Sequence, residues 1–145
     1  MKTLLIGADH AGFKLKEEVK NYLIKKGWSI DDITPTFVAG NDYPPIAKFA
    51  VAKLKTENDQ RKAILLCGSG YGMDIVANRH KGMRAIVARS SQDAILSRQD
   101  DHSNILILGA RVTKPTVAKK IIDAWLKTKP STAERHLRRL KEIDA

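Results

Sequence analysis

Five short apolar runs punctuate the chain, and between them apolar residues recur at helical spacing. Thr3-Leu4-Leu5-Ile6-Gly7, Trp28 to Ile33, Ala63 to Leu66, Met83 to Ala88 and Ile105-Leu106-Ile107-Leu108-Gly109 read as strands. The first, third and fifth are almost continuously apolar, as strands buried on both faces are. Phe13, Leu15, Val19, Tyr22 and Leu23 form a helical stripe that Gly27 stops. Residues 34–42 carry Pro35, Gly40 and Asn41 with no regular period, an irregular connection. Asp42-Tyr43-Pro44-Pro45 then opens a second helix, with Asp42 as its cap and the prolines in its first turn. Ile46, Phe49, Ala50, Ala52 and Leu54 carry it to about Lys55.

Beyond the third strand, Met73, Ile75, Val76 and Ala77 begin a helix that runs towards Asn78. Ser90 or Ser91 caps the next, which holds Ala94, Ile95 and Leu96 and decays into Gln99-Asp100-Asp101-His102. Val117, Ile121, Ile122, Ala124, Trp125 and Leu126 mark a long amphipathic helix that Pro130 breaks, and Thr132 to Ile143 reads as a last, highly charged one. Strands that alternate with helices call for one parallel sheet covered on both faces. The expected fold is a single doubly wound, Rossmann-like α/β/α sandwich over residues 1–145, with a five-stranded parallel sheet and a C-terminal helix. No linker or internal repeat interrupts it.

Size and composition narrow the partners. A chain of 145 residues is long enough for one real core. No apolar run approaches the ~18 residues a membrane span needs. The N-terminus also lacks the build of a signal peptide. No membrane partner is expected, and the cytoplasm is the expected compartment. The single cysteine cannot form an intramolecular disulfide, and no zinc-type spacing exists, so no metal is expected. The net charge of +10 raises nucleic acid and anionic small molecules as partners. The lysines of 14–26 and 114–129 are mixed with acids and aliphatic residues, which reads as solvated helix faces. No basic stripe interleaved with aromatics and no nucleic-acid motif accompanies them, so nucleic acid is not expected.

Chemistry enters where the third strand stops. Cys67-Gly68-Ser69-Gly70-Tyr71-Gly72 is a glycine-rich turn between a buried strand and a helix start. Such a turn aims backbone N–H groups and a helix N-terminus at one spot, which suits a phosphate or an oxyanion formed during reaction. Cys67 stands at that strand end, where a helix N-terminus favours the reactive thiolate form. Asp9 and His10 follow the first strand and Arg111 the fifth, all at the carboxyl edge where open α/β sheets bind ligands. Each has a plain structural reading on its own: a small buried cysteine, turn glycines, a capping aspartate, a surface histidine. Their shared edge is what favours a site.

Six motifs in register then carry a resemblance: Gly7-Ala8-Asp9-His10-Ala11-Gly12; Asp42-Tyr43-Pro44; Cys67 to Gly72; Ala77-Asn78 with Gly82-Met83-Arg84-Ala85; Gly109-Ala110-Arg111-Val112; and Arg135-His136 with Arg139. The chain resembles the type B ribose-5-phosphate isomerase and galactose-6-phosphate isomerase family over nearly its whole length. The resemblance implies an aldose–ketose isomerase of a phosphorylated sugar that works through an enediolate without a cofactor. It implies Cys67 as the proton-transferring base, with Ser69 and the N–H groups of Gly68, Gly70, Tyr71 and Gly72 holding the enediolate oxygen. Asp9 and His10 would bind the sugar and assist ring opening or phosphate contact, Tyr43 would line the pocket, and Arg111, Arg135 and Arg139 would hold the phosphate. It further implies a homodimer, or a dimer of dimers, with active sites shared between chains. For Asn78 a sugar-site role and a helix-end structural role stand side by side.

The departures fall on sugar recognition. Asp100 and Asp101 occupy the positions where the ribose-5-phosphate enzymes carry His-Asn, the histidine being assigned to ring opening. An aspartate with the usual pKa of about 4 accepts a proton at pH 7 but rarely donates one. His102 is near enough to compensate, unless a strand-like loop points it elsewhere. A glycine pair expected before Arg135 is Ala133-Glu134, and a glycine-threonine expected near Ile33-Thr34 is absent. Ribose 5-phosphate is therefore the first expected substrate, and a hexose 6-phosphate (galactose or allose type) or another pentose phosphate the second. A sugar-phosphate-binding paralogue without activity, and a flavodoxin-like nucleotide-binding or regulatory module, are the non-enzyme alternatives.

Overall fold

The computed structural model describes residues 3–56 and 61–145. Five strands, β1 (Thr3–Ala8), β2 (Ser29–Asp32), β3 (Lys62–Cys67), β4 (Ala85–Val87) and β5 (Ile105–Gly109), form one parallel sheet in the order β2-β1-β3-β5-β4. Alternation along the strands splits the core in two. Leu4, Ile6, Ala8, Ile64, Leu66, Leu106 and Leu108 face α1 (Phe13–Lys25), α4 (Ser91–Asp101) and α5 (Pro115–Lys127). Leu5, Ala63, Leu65, Cys67, Ile105 and Ile107 face α2 (Tyr43–Thr56) and α3 (Tyr71–Asn78). Cys67 therefore belongs to the α2–α3 layer. The final helix, α6 (Glu134–Ile143), rests against α4 and buries none of its side chains.

The expected sandwich is present, with four local corrections. β4 has three residues rather than the six of 83–88. It pairs only with β5, and Arg84 N–H turns aside to Asn104 Oδ1 at 2.8 Å. β2 likewise starts at Ser29, because Trp28 N–H closes the end of α1 on Leu23 O at 3.1 Å, beyond Gly27 at φ +92°. Helix α4 does not decay at Gln99 but runs through Asp100 and Asp101, ending at His102 in the left-handed region at φ +50°. Ser90 is its cap, its Oγ accepting Asp93 N–H at 3.2 Å.

The fourth correction concerns charge. Lys16 is not on a solvated face: it is fully buried, three residues past Phe13 and three before Val19 on the inward stripe of α1. Its Nζ donates to both Asp32 oxygens, at 3.1 and 2.8 Å, and to Thr34 O at 2.6 Å. Lys20 reaches the same carboxylate at 2.9 Å. Burial pushes the Asp32 carboxyl up, but hydrogen bonds from Lys16, Lys20 and the Thr34 N–H outweigh it and hold it below the usual carboxylate range. On the other side of β2, Asp31 meets Lys53 at 2.7 Å and Arg61 at 2.8 Å, which hold it down too.

Candidate active site

A parallel sheet opens a crevice at its carboxyl edge where successive connections leave a strand pair on opposite sides. From β1 the chain adds β2 on one flank and β3 on the other, so the crevice lies beyond Ala8 and its register partner Leu66. A cleft of about 370 Å³ occupies it, lined by Asp9, His10, Ala11, Asn41, Asp42, Tyr43, Cys67, Gly68, Ser69, Gly72 and Arg111. This is the lower range for a small-molecule site, ~300–1,000 Å³. Asp9, His10, Tyr43, Cys67, Gly68, Ser69, Gly72 and Arg111 of the expected set thus converge within one chain.

Cys67 forms the floor. It is 3% exposed, and Gly70 N–H donates to its Sγ at 3.2 Å as the turn folds back over the strand end. Gly70 makes that turn possible at φ +89°, a conformation that a side chain resists. Gly68 and Gly72 serve clearance instead. A Cβ on Gly68 would lie 2.6 Å from an Arg111 guanidinium nitrogen, and one on Gly72 2.5 Å from the Tyr43 ring. Arg111 and Tyr43 thereby lie directly on the turn, with Arg111 N–H anchored on Gly68 O at 3.0 Å. Ser69 accepts Tyr71 N–H at Oγ at 3.2 Å, which leaves its own hydroxyl hydrogen to donate.

The opposite wall is equally fixed. Asp9, 5% exposed, accepts Ala11 N–H and Gly12 N–H at the same oxygen, at 3.0 and 3.1 Å. Its second oxygen takes no hydrogen bond from the described residues. His10 is held twice by Asn41: its N–H donates to Oδ1 at 2.6 Å, and its Nδ1 lies 3.0 Å from Asn41 O. A carbonyl only accepts, so Nδ1 carries a hydrogen and Nε2 is the ring nitrogen left for a ligand.

Other expected residues stand apart. Gly70 packs against Val87 and Ile107, and Tyr71 is the exposed first residue of α3; neither lines the cleft. Asp100 and Asp101 end α4, and Arg135 and Arg139 are exposed on α6, all outside this chain's cleft. Asp100 Oδ1 lies 3.7 Å from His136 Nε2. His102 does not line this chain's cleft; its Nε2 lies 2.7 Å from Ser131 O and ties down the connection to α6. Asn78 is structural: its amide takes Ala85 N–H and gives to Ala85 O, both at 2.8 Å, and so docks α3 on β4.

Two residues at this edge were not foreseen. Asn41 sits in the aperiodic segment before α2, where only its contact with His10 gives it meaning. Arg89 stacks over the Tyr71 ring at 5.1 Å and donates to Ser69 O at 3.0 Å, bracing the turn from β4's side. Its position just past the fourth strand repeats the logic that singled out Arg111, and that was the available signal.

The match to known proteins is end to end. The Ribose/Galactose Isomerase family model covers residues 4–143. Ribose-5-phosphate isomerase B of Escherichia coli (strain K12) is 37% identical over 145 residues, all of this chain and 96% of that protein. D-erythrulose-4-phosphate isomerase of Pectobacterium atrosepticum is 36% identical over 126 residues, 87% of this chain and 83% of that one. A crystal structure of a ribose 5-phosphate isomerase from Thermotoga maritima superposes with a TM-score of 0.93 at 40% identity, covering 99% and 97% of the two chains. Ribose-5-phosphate isomerase B from Mycoplasma genitalium, solved with bound ribulose 5-phosphate, gives 0.91 at 35% identity over 97% and 93%. With a sheet, a cleft and a turn of this build, the chain belongs to the ribose/galactose isomerase family.

Proposed function

We propose that this chain interconverts the aldose and ketose forms of a phosphorylated sugar, ribose 5-phosphate and ribulose 5-phosphate, through an enediolate. One observation carries the reading: a single cleft gathers a buried thiol, a glycine-rich turn, a carboxylate, an imidazole and a guanidinium from three neighbouring strand ends. In the opened aldose the C1 carbonyl acidifies the C2 proton. Cys67 takes that proton, the electron pair moves into the carbonyl, and return of the proton to C1 yields the ketose. The charge grows on the oxygens, where the Ser69 hydroxyl and the turn's N–H groups act; one such donor is worth about 3 kcal/mol. His10, with Nε2 free, and Asp9, with one oxygen free, serve ring opening and the hydroxyl protons. Arg111 takes the phosphate, to which a guanidinium presents a matching fork.

Arg135 and Arg139 complete the phosphate site from a second copy of the chain. Supporting this, α6 fully buries none of its side chains in its own chain and holds both arginines exposed, one turn apart. The test is an isomerase assay over ribose 5-phosphate, a hexose 6-phosphate and D-erythrulose 4-phosphate. The last is included because one relative of equal similarity carries that sugar in its name. Turnover of ribose 5-phosphate at least tenfold above the others is expected. Preference for another sugar changes the substrate and keeps the reaction. No turnover of any, with a flavin or nucleotide retained in the purified protein, would return the chain to a binding module.

A further inference from the structure

At the opposite end of the strands lies a larger cavity, about 1070 Å³, between the starts of β1, β2 and β3 and the ends of α4 and α5. Arg98, in the last turn of α4, lines it and is 7% exposed. Its Nη1 donates to Ser103 O at 2.6 Å and its guanidinium lies 5.9 Å from the Trp125 ring. Its Nε has no hydrogen-bond partner, and no carboxylate among the described residues pairs with it. A guanidinium keeps its charge in proteins, although burial first and Arg84 second push its pKa down. A buried, unpaired charge is costly, and proteins normally supply its counter-charge. Here the other charges on the lining are mostly cationic. Lys127 and Lys129 face the cavity, and Asp31, its carboxylate, is engaged by Lys53 and Arg61. Cations at the end of α5 also complement the helix dipole, but that does not call for a buried arginine on α4.

We propose that this cavity, built around Arg98 with Lys127 and Lys129, is a second binding site that takes a small phosphate-bearing anion. It is separated from the catalytic cleft by the length of the strands, roughly 17–20 Å, and it is independent of the isomerase reading. Both of the chain's tryptophans report on it, Trp28 from the lining and Trp125 beside Arg98.

The experiment titrates the intact protein with inorganic phosphate and with AMP while following tryptophan emission. A saturable change with Kd below about 10 mM is expected, retained in Arg111→Ala and weakened at least tenfold in Lys127→Ala/Lys129→Ala. Arg98→Met should abolish it; if that variant fails to fold, the lysine pair decides. Tighter AMP than phosphate identifies a nucleotide-borne phosphate, and equal affinities identify the bare oxyanion; either sustains the site. Silence towards both probes, loss of the response in Arg111→Ala, or indifference to the lysine pair overturns it.

Discussion

At the scale of single residues, the cleft holds groups proposed to do chemistry beside glycines that make room for them. Cys67→Ala removes the proposed base from a floor that β3 holds regardless. Turnover of ribose 5-phosphate should fall at least ~100-fold, the range for losing a general base, with thermal unfolding little changed. Near-normal kcat in that variant would show that another group moves the proton. Gly72→Ala removes no functional atom, yet its methyl meets the Tyr43 ring at 2.5 Å and must displace it. A rise in KM and a fall in kcat are expected together, and Tyr43→Ala in the same chain should relieve part of the loss. If Gly72→Ala is kinetically silent, the close packing of Tyr43 on the turn has no bearing on the site. The cysteine and the glycines were legible as types and spacing. Which glycine served a turn and which served clearance was not, because the partners Arg111 and Tyr43 arrive from 43 and 29 residues away, distances in sequence that the pattern cannot express.

Elements show a different division. The alternating pattern was enough to find every strand and helix, since buried parallel strands and amphipathic helices each have a period of their own. It missed Lys16 because a lysine on a helix reads as solvated until its partner is known, and Asp32 comes from a different element. That pair makes β2 an edge strand held by ions. Removing one partner of such a buried pair leaves the other uncompensated, so Asp32→Asn should cost about 3–5 kcal/mol by chemical denaturation. The sign with pH follows from the depressed carboxyls. Their contribution is complete above the unfolded carboxylate pKa of about 4 and is lost as pH falls through the folded values. The melting temperature should therefore drop below about pH 4 in the parent and drop less steeply in Asp32→Asn. Equal acid slopes would exclude Asp32 as a contributor.

For the molecule as a whole, strand order was the least legible property. Nothing in the apolar runs says that β5 inserts between β3 and β4, although full burial of β5 and the half-covered, three-residue β4 fit a centre and an edge once the order is known. The exposed arginines of α6 raise the parallel question of what completes the site. Mixing a Cys67→Ala chain with an Arg139→Ala chain should restore part of the activity, because one hybrid site would hold both groups. Absence of rescue under demonstrated subunit exchange would place each site within a single chain.

The groups proposed to transfer protons sit on strand ends, while Asp100, Arg135 and Arg139 sit on α4 and α6 at the periphery. Two relatives at nearly the same identity, 37% and 36%, bear names with different sugars, a pentose and a tetrose phosphate. Such an arrangement separates two rates of evolutionary drift. If the proposed roles hold, helix residues are free to change which sugar is welcomed while the reaction on the strand ends is kept, and that would make this architecture a ready starting point for new isomerases.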